Sequence, residues 1–230
     1  MLLQIDTLSL YNAAEVAEDV VEHAPINLWT MAQYGGWIMI VLALLLAIAI
    51  WIFVERLVVL HKAQKEDKSF MDRIKDYIHD GKIDSALNLC HQSNTPSSRM
   101  VEKGITRIGR PMSDVMVAIE NVGNLEVSTL EKNLVILATI ASGAPMIGFL
   151  GTVIGMVNVF YNMAGSNSGV IELSALSEGM YQAMVTTVGG LIVGILCIFA
   201  YNFLVSRVDT VVRQLEARTM DFLDLLNEPA

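Results

Sequence analysis

The sequence has no lysine or arginine before Arg56 and none between Lys132 and Arg207. All 15 of its basic residues lie from Arg56 to Lys132 or at Arg207, Arg213 and Arg218; the net charge of −9 says little beside that distribution, and no nucleic-acid partner is expected. Cysteine is scarce. Cys90 sits in a polar segment and Cys197 in an apolar run, which excludes a disulfide framework and a thiolate metal site. His61, His79 and His91 are not at metal-ligand spacing, so neither metal nor cofactor is expected. No β-type alternation persists for any length, which excludes a strand-based fold. The start, MLLQIDTLSLYNAAEVAEDVVEH, lacks a basic region and an Ala-x-Ala site ahead of the first long apolar run. No cleaved signal peptide is therefore expected.

What the chain has instead is apolar length. With 53% apolar residues and a positive mean hydropathy over 230 residues, it is too apolar for a soluble domain and fits a few membrane spans with modest water-soluble parts. The expected class is an all-α, three-span membrane protein whose long helices extend into the cytoplasm and whose cytoplasmic domain is also helical. Residues 1–34 carry Asp6, Glu15, Glu18, Asp19 and Glu22 and no Lys or Arg, so this segment is free to cross the membrane. Val16, Val20 and Ala24 recur at helical spacing, as in a short amphipathic helix lying near the interface on the periplasmic side. Trp29, Tyr34 and Trp37 then form an interfacial aromatic belt. The first span, residues 35–56, is uncharged up to Val54 and closed by Glu55 and Arg56.

Residues 57–132 change character, with basic and acidic side chains interleaved on what reads as a solvated helical domain. Phe70, Ile74, Tyr77 and Ile78 before Asp80-Gly81 predict a helix with a glycine stop. Asp84 is placed to cap Ala86–Cys90, a loop is expected at Ser93–Ser98, and a further helix at Met100–Ile108. Ser113 is placed to cap a long helix through Ile119 and Leu130 that can continue into the second span, residues 133–164. A run of turn formers at residues 165–172 makes a periplasmic loop, the third span covers 173–206, and residues 207–230 form an amphipathic C-terminal helix.

The second span carries the most distinctive punctuation: Pro145, Gly148, Gly151 and Gly155, with Thr152 and Asn158 as polar groups. Small residues four apart let another helix backbone approach closely where lipid supplies no hydrophobic drive. Pro145 frees a carbonyl near Ala141, a defect tolerated at membrane depth only where protein or a wet cavity satisfies it. On the third span Glu178, Gln182 and Thr186 follow one helical stripe, with Ala183, Thr187, Gly190 and Gly194 on the adjoining one. A short loop makes the two spans antiparallel neighbours, so Thr152 and Thr187 come to comparable depth. Polar groups there face protein or a water-filled path. The competing reading is that these hydroxyls bond their own i−4 carbonyls and only help packing.

Ala144-Pro-Met-Ile-Gly-Phe-Leu-Gly-Thr-Val-Ile-Gly-Met-Val-Asn-Val-Phe160 and Gly179-Met-Tyr-Gln-Ala-Met-Val-Thr-Thr-Val-Gly-Gly-Leu191 resemble the two signature stretches of the ExbB/TolQ/MotA proton-channel family, and most resemble ExbB. The likeness extends over the three-span plan; the fourth span and larger cytoplasmic part of the flagellar branch are missing. The resemblance implies a pentamer around the membrane helices of two copies of an ExbD-like or TolR-like single-span partner, whose aspartate takes up and releases protons. It implies that Thr152 and Thr187 face that aspartate, and that the assembly drives a TonB-like or TolA-like protein reaching the outer membrane. Family members often carry glutamate where Gln182 stands. Gln182 cannot titrate, so any charge role is absent here or moved to Glu178.

The implied function is that of a non-enzymatic channel subunit of a bacterial inner-membrane complex, in contact with membrane lipid, that converts proton-motive force into work for TonB-dependent outer-membrane transport. The alternatives are a TolQ-like subunit for outer-membrane integrity and cell division, and a scaffold or transporter subunit without its own ion path. The distribution of basic residues gives a topology, with N-terminus out and C-terminus in. Single cysteines near Asn12 and Asn167 are expected to react with an impermeant thiol reagent from outside, and those near Lys82 and Arg213 only from the cytoplasm. Outside labelling at Lys82 would end this topology.

Overall fold

The computed structural model describes residues 35–65, 69–165 and 173–227, and among these every regular element is an α-helix. In chain order they are α1 (Gly36–Gln64), α2 (Phe70–His79), α3 (Ile83–Ser93), α4 (Pro96–Ile105), α5 (Met112–Glu131), α6 (Leu134–Gly165) and α7 (Leu173–Asn227). Three stretches, within Gly36–Gln64, Met112–Ala164 and Leu176–Asn227, are long and apolar enough to cross a membrane. The chain is an all-α, multi-pass membrane protein. The amphipathic N-terminal segment, with Trp29 and Tyr34, and the turn-rich segment 166–172 lie outside the described residues.

The helical domain is built from α2 to α5 and the far end of α7. Phe70 and Ile74 from α2, Ala86 and Cys90 from α3, Ile119 from α5 and Phe222 from α7 are all buried in one core. Gly104 lets α4 close on it, since a Cβ there would stand 2.9 Å from Ile119 Cδ1 and collide with the Phe222 ring. Burial pushes the Cys90 thiol up to about 12, so it remains a packed, unreactive thiol. Arg99 grips Glu126 through Nε and Nη2, each 2.6 Å from a carboxylate oxygen, and this fork ties α4 to α5 and raises the arginine's pKa.

Three local expectations are corrected. The helix expected from Met100 begins at Pro96, where a loop was expected: the Thr95 hydroxyl accepts from the Ser98 amide (3.2 Å), the Ser98 hydroxyl accepts from the Thr95 amide (2.9 Å), and Pro96 occupies the first turn without loss because its missing N–H has no intrahelical partner there. Ser113 and Asp84 do not cap. Each lies inside a first turn, after Pro111 and Lys82 respectively. The helix leading to the second span is interrupted once, at Lys132 and Asn133, where Asn133 takes a positive φ of 68° that a β-branched residue would resist.

That interruption is clamped by the charged pair at the end of α1. Arg56, only 5% exposed, donates from Nη1 to the Thr129 carbonyl (3.0 Å) and from Nη2 to Glu55 (2.7 Å), while Asn133 Nδ2 reaches Glu55 at 3.4 Å. A helix end leaves its last carbonyls without amide partners, and Arg56 serves one of them.

α6 and α7 form an antiparallel pair whose closest approach is at small residues. A Cβ on Gly148 would stand 3.0 Å from the Gly190 Cα and 2.8 Å from the Thr186 carbonyl; one on Gly190 would stand 2.8 Å from the Gly148 Cα. One turn toward the helical domain, Gly194 leaves room for the Pro145 ring, and the Ala141 carbonyl lies 3.1 Å from the place a Gly194 Cβ would occupy. The carbonyl that Pro145 frees thus lies beside a bare Cα, suited to a weak C–H···O contact. One turn the other way, Gly151 faces Thr186 and Gly155 faces Ala183. α1 packs across this pair, with Met39 Sδ 3.0 Å from where a Gly189 Cβ would stand. Replacement of Gly190 by Leu is expected to prise the helices apart and cost about 2 kcal/mol or more, as overpacking does. A Cβ on Gly143 meets nothing within 4 Å. Gly143→Ala is therefore expected to leave the melting temperature of the detergent-solubilised protein unchanged while Gly190→Leu lowers it; equal effects would contradict the packing described.

Candidate functional site

The close approach at Gly148 and Gly190 determines what meets one turn further along. Thr152 from α6 and Thr187 from α7 are brought into direct hydroxyl-to-hydroxyl contact, and each hydroxyl also lies 3.4 Å from the Gly148 carbonyl. The sequence placed these residues at comparable depth; the structure makes them a pair. Both are half-buried, so the pair sits at the edge of the helix contact with one side open. For Thr152 the Gly148 carbonyl is its own i−4 carbonyl, as the packing reading expects, in addition to its contact with Thr187. Among the described residues, Thr186 has no hydrogen-bond partner on the other helix. It is buried against Gly151 and donates to the Ala183 carbonyl three residues back (2.8 Å), as expected of a threonine that satisfies itself within its own helix.

Pro145, Gly148, Gly151, Gly155, Gly190 and Gly194 all fall on the contact between α6 and α7, and they fix the spacing that the threonine pair needs. Glu178 and Gln182 are exposed and are not brought to the pair. Glu178 precedes Thr187 by nine positions, which puts it about 13 Å along the helix and on roughly the opposite face. The Gln182 amide instead lies against the head of α1, where a Gly36 Cβ would stand 2.8 Å from its Nε2. Within one chain the site is thus a hydroxyl pair over a backbone carbonyl. Two features escaped the sequence reading. Met39 of α1 braces α7 at Gly189, and Arg56, which looks like a solvent-facing end of a span, is buried in the clamp on Thr129. A basic residue beside an acidic one at a span boundary was the available signal for the second.

Chemically, two hydroxyls and a carbonyl can accept and pass on hydrogen bonds, but at neutral pH they cannot store a proton. No Asp, Glu, Lys, Arg or His lies between Leu134 and Gly165, nor between Gly179 and Ser206. Among the described residues no group of His, Cys, Asp and Glu is arranged to hold a metal. Among the described residues, the pair therefore has no acidic or basic side chain beside it on its own two helices.

Comparison with known proteins places the chain in a family. Residues 92–217 match the MotA/TolQ/ExbB proton channel family. A biopolymer transport protein ExbB homolog of Methanothermobacter thermautotrophicus is 30% identical over 190 residues, covering 81% of this chain and 66% of the relative. The Tol-Pal system protein TolQ of Haemophilus influenzae is 26% identical over 217 residues, covering 89% of this chain and 94% of the relative. The biopolymer transport protein ExbB of Neisseria meningitidis is 25% identical over 221 residues, covering 88% of this chain and 98% of the relative. The matched span runs from α3 through the threonine pair to the far part of α7, and the chain belongs to the MotA/TolQ/ExbB proton channel family.

Proposed function

We propose that this protein is the channel and motor subunit of a bacterial inner-membrane complex that converts proton-motive force into work for TonB-dependent outer-membrane transport. The observation that carries the reading is the Thr152–Thr187 pair, half-open and, among the described residues, without an acidic or basic neighbour on its own two helices. Such a pair suits a relay that hydrogen-bonds a carboxyl group or water supplied by a partner. An ExbD-like single-span protein with a membrane aspartate meets that need, several copies of this chain, most simply a pentamer, enclose it, and a TonB-like protein takes up the movement. The N-terminus is periplasmic and the helical domain cytoplasmic, because every Lys and Arg lies on the domain side. A TolQ-like role in outer-membrane integrity is the second reading, since the match to TolQ runs nearly full length, as does that to ExbB. Co-purification of a TonB-like or a TolA-like protein separates the two.

The threonines test the shared part. Thr152→Val and Thr187→Val keep side-chain shape and remove one hydroxyl each, at about 1 kcal/mol or less in stability. Co-purification with the single-span partner should survive, while proton flux into vesicles carrying the complex should fall about tenfold or more, equivalent to a barrier higher by about 1.4 kcal/mol. Normal flux in both valine variants would make the threonines packing residues and favour a scaffold without an ion path.

Glu178 is assigned a supporting charge role at the outer mouth, away from the pair. Glu178→Gln is then expected to impair flux more than Gln182→Ala does, at each of several external pH values. Wild-type flux in Glu178→Gln would leave the partner's carboxylate as the only proton carrier.

A further inference from the structure

The outward surface of α1 does not turn polar where its sequence does. Glu55 and Arg56 are engaged with Thr129 and Asn133, whereas Val54, Leu57 and Val58 remain 52%, 41% and 48% exposed. Apolar surface therefore continues about one turn past the charged pair. Directly beyond it, α1 and α7 enclose a groove of about 420 Å³. Val58, Leu60 and Val211 supply its apolar wall, and His61, Lys62 and Arg207 its polar end; no carboxylate lines it.

The cations are placed rather than scattered. The Arg207 guanidinium lies 5.2 Å from the centre of the Phe203 ring, and Phe203 in turn packs at 6.3 Å on Phe53 of α1. Among the described residues neither Lys62 nor Arg207 forms an ion pair, although Arg56, Lys82, Arg99 and Arg218 each do.

We propose that this groove binds an anionic phospholipid, of the phosphatidylglycerol type, from the leaflet nearest the helical domain. The phosphate sits between Lys62 and Arg207, and an acyl chain follows Val58 and Leu57 back onto the bilayer-facing surface. A soluble phosphate would gain nothing from that apolar wall, which is continuous with the surface of the span. A zwitterionic lipid would bring an ammonium group to a site with two cations and no carboxylate. In the orientation proposed above this is the cytoplasmic leaflet, whose anionic lipids attract basic residues at the membrane surface. The assignment does not depend on proton conduction.

The test uses the full-length protein in detergent, with lipid retention read by native mass spectrometry. Dioleoyl-phosphatidylglycerol is expected to be retained in preference to dioleoyl-phosphatidylcholine. Lys62→Gln and Arg207→Gln should each weaken that retention about fivefold, on the scale of one cation at an anionic surface. Arg207→Lys should restore most of it. Lys103→Gln, in the helical domain, should change nothing. Lys62 is exposed, so its variant stays informative even where circular dichroism shows Arg207→Gln to be misfolded. Equal retention of the two lipids, or retention indifferent to Lys62→Gln, would overturn the site; displacement by excess glycerol phosphate would reassign it to a soluble anion.

Discussion

The interaction on which the rest depends is the backbone contact between α6 and α7 at Gly148 and Gly190. In lipid, two helices gain no hydrophobic free energy by meeting, so their association rests on close packing and on polar contacts between them. Dispersion falls steeply with separation, and a side chain at either glycine would open a gap that forfeits much of it. The sequence keeps the gap closed over several turns by matching small residue to small residue, from Gly194 against Pro145 to Ala183 against Gly155. The hydroxyl pair is a consequence. Thr152 and Thr187 touch because the helices on which they sit have no side chains in the way one turn earlier.

The same contact joins the membrane part to the helical domain. α7 runs unbroken from Leu173 to Asn227, and beyond Gly194 it contains neither glycine nor proline, so the helix that carries Thr187 also carries Phe222 into the domain core. α6 reaches the domain differently, through the turn at Lys132 and Asn133 that Arg56 clamps from α1. One connection is a continuous rod and the other a pinned joint.

Much of this was legible because it depends on spacing. Glycine, threonine and proline at helical intervals on two apolar runs joined by a short turn leave few arrangements other than an antiparallel pair, and the resemblance of those stretches to one family follows the same positions. What was misread or missed has a common physical origin. Thr95-Pro96-Ser97-Ser98 was read as a loop because proline and serine are turn formers, yet the same residues make a helix start when serine caps and proline occupies the first turn. Arg56 marks the end of the first span in the sequence, but its burial is not legible there, because it depends on the free carbonyl at Thr129, which only the fold creates. Glu178, expected at the outer mouth, lies away from the threonines in the structure as well. Nearness in sequence along a polar stripe does not survive nine residues of helical rotation.

That last point bears on the division of labour between this chain and its partners. A proton path needs a group that titrates and groups that guide the proton to it. The α6–α7 pair supplies hydroxyls and a carbonyl, held at close spacing by glycine packing, and Glu178, near the start of α7, lies on roughly the opposite face of its helix from Thr187. A carboxylate built into this wall would carry a desolvation cost at all times, whether or not a path was open. One carried by a separate helix pays that cost only while it stands against the wall, and can be relieved by moving to a wetter position. Under the function proposed above, half-open hydroxyls without a resident charge suit a wall against which a partner's carboxylate stands, and the Gln182 amide, lying against the head of α1, is not part of that wall.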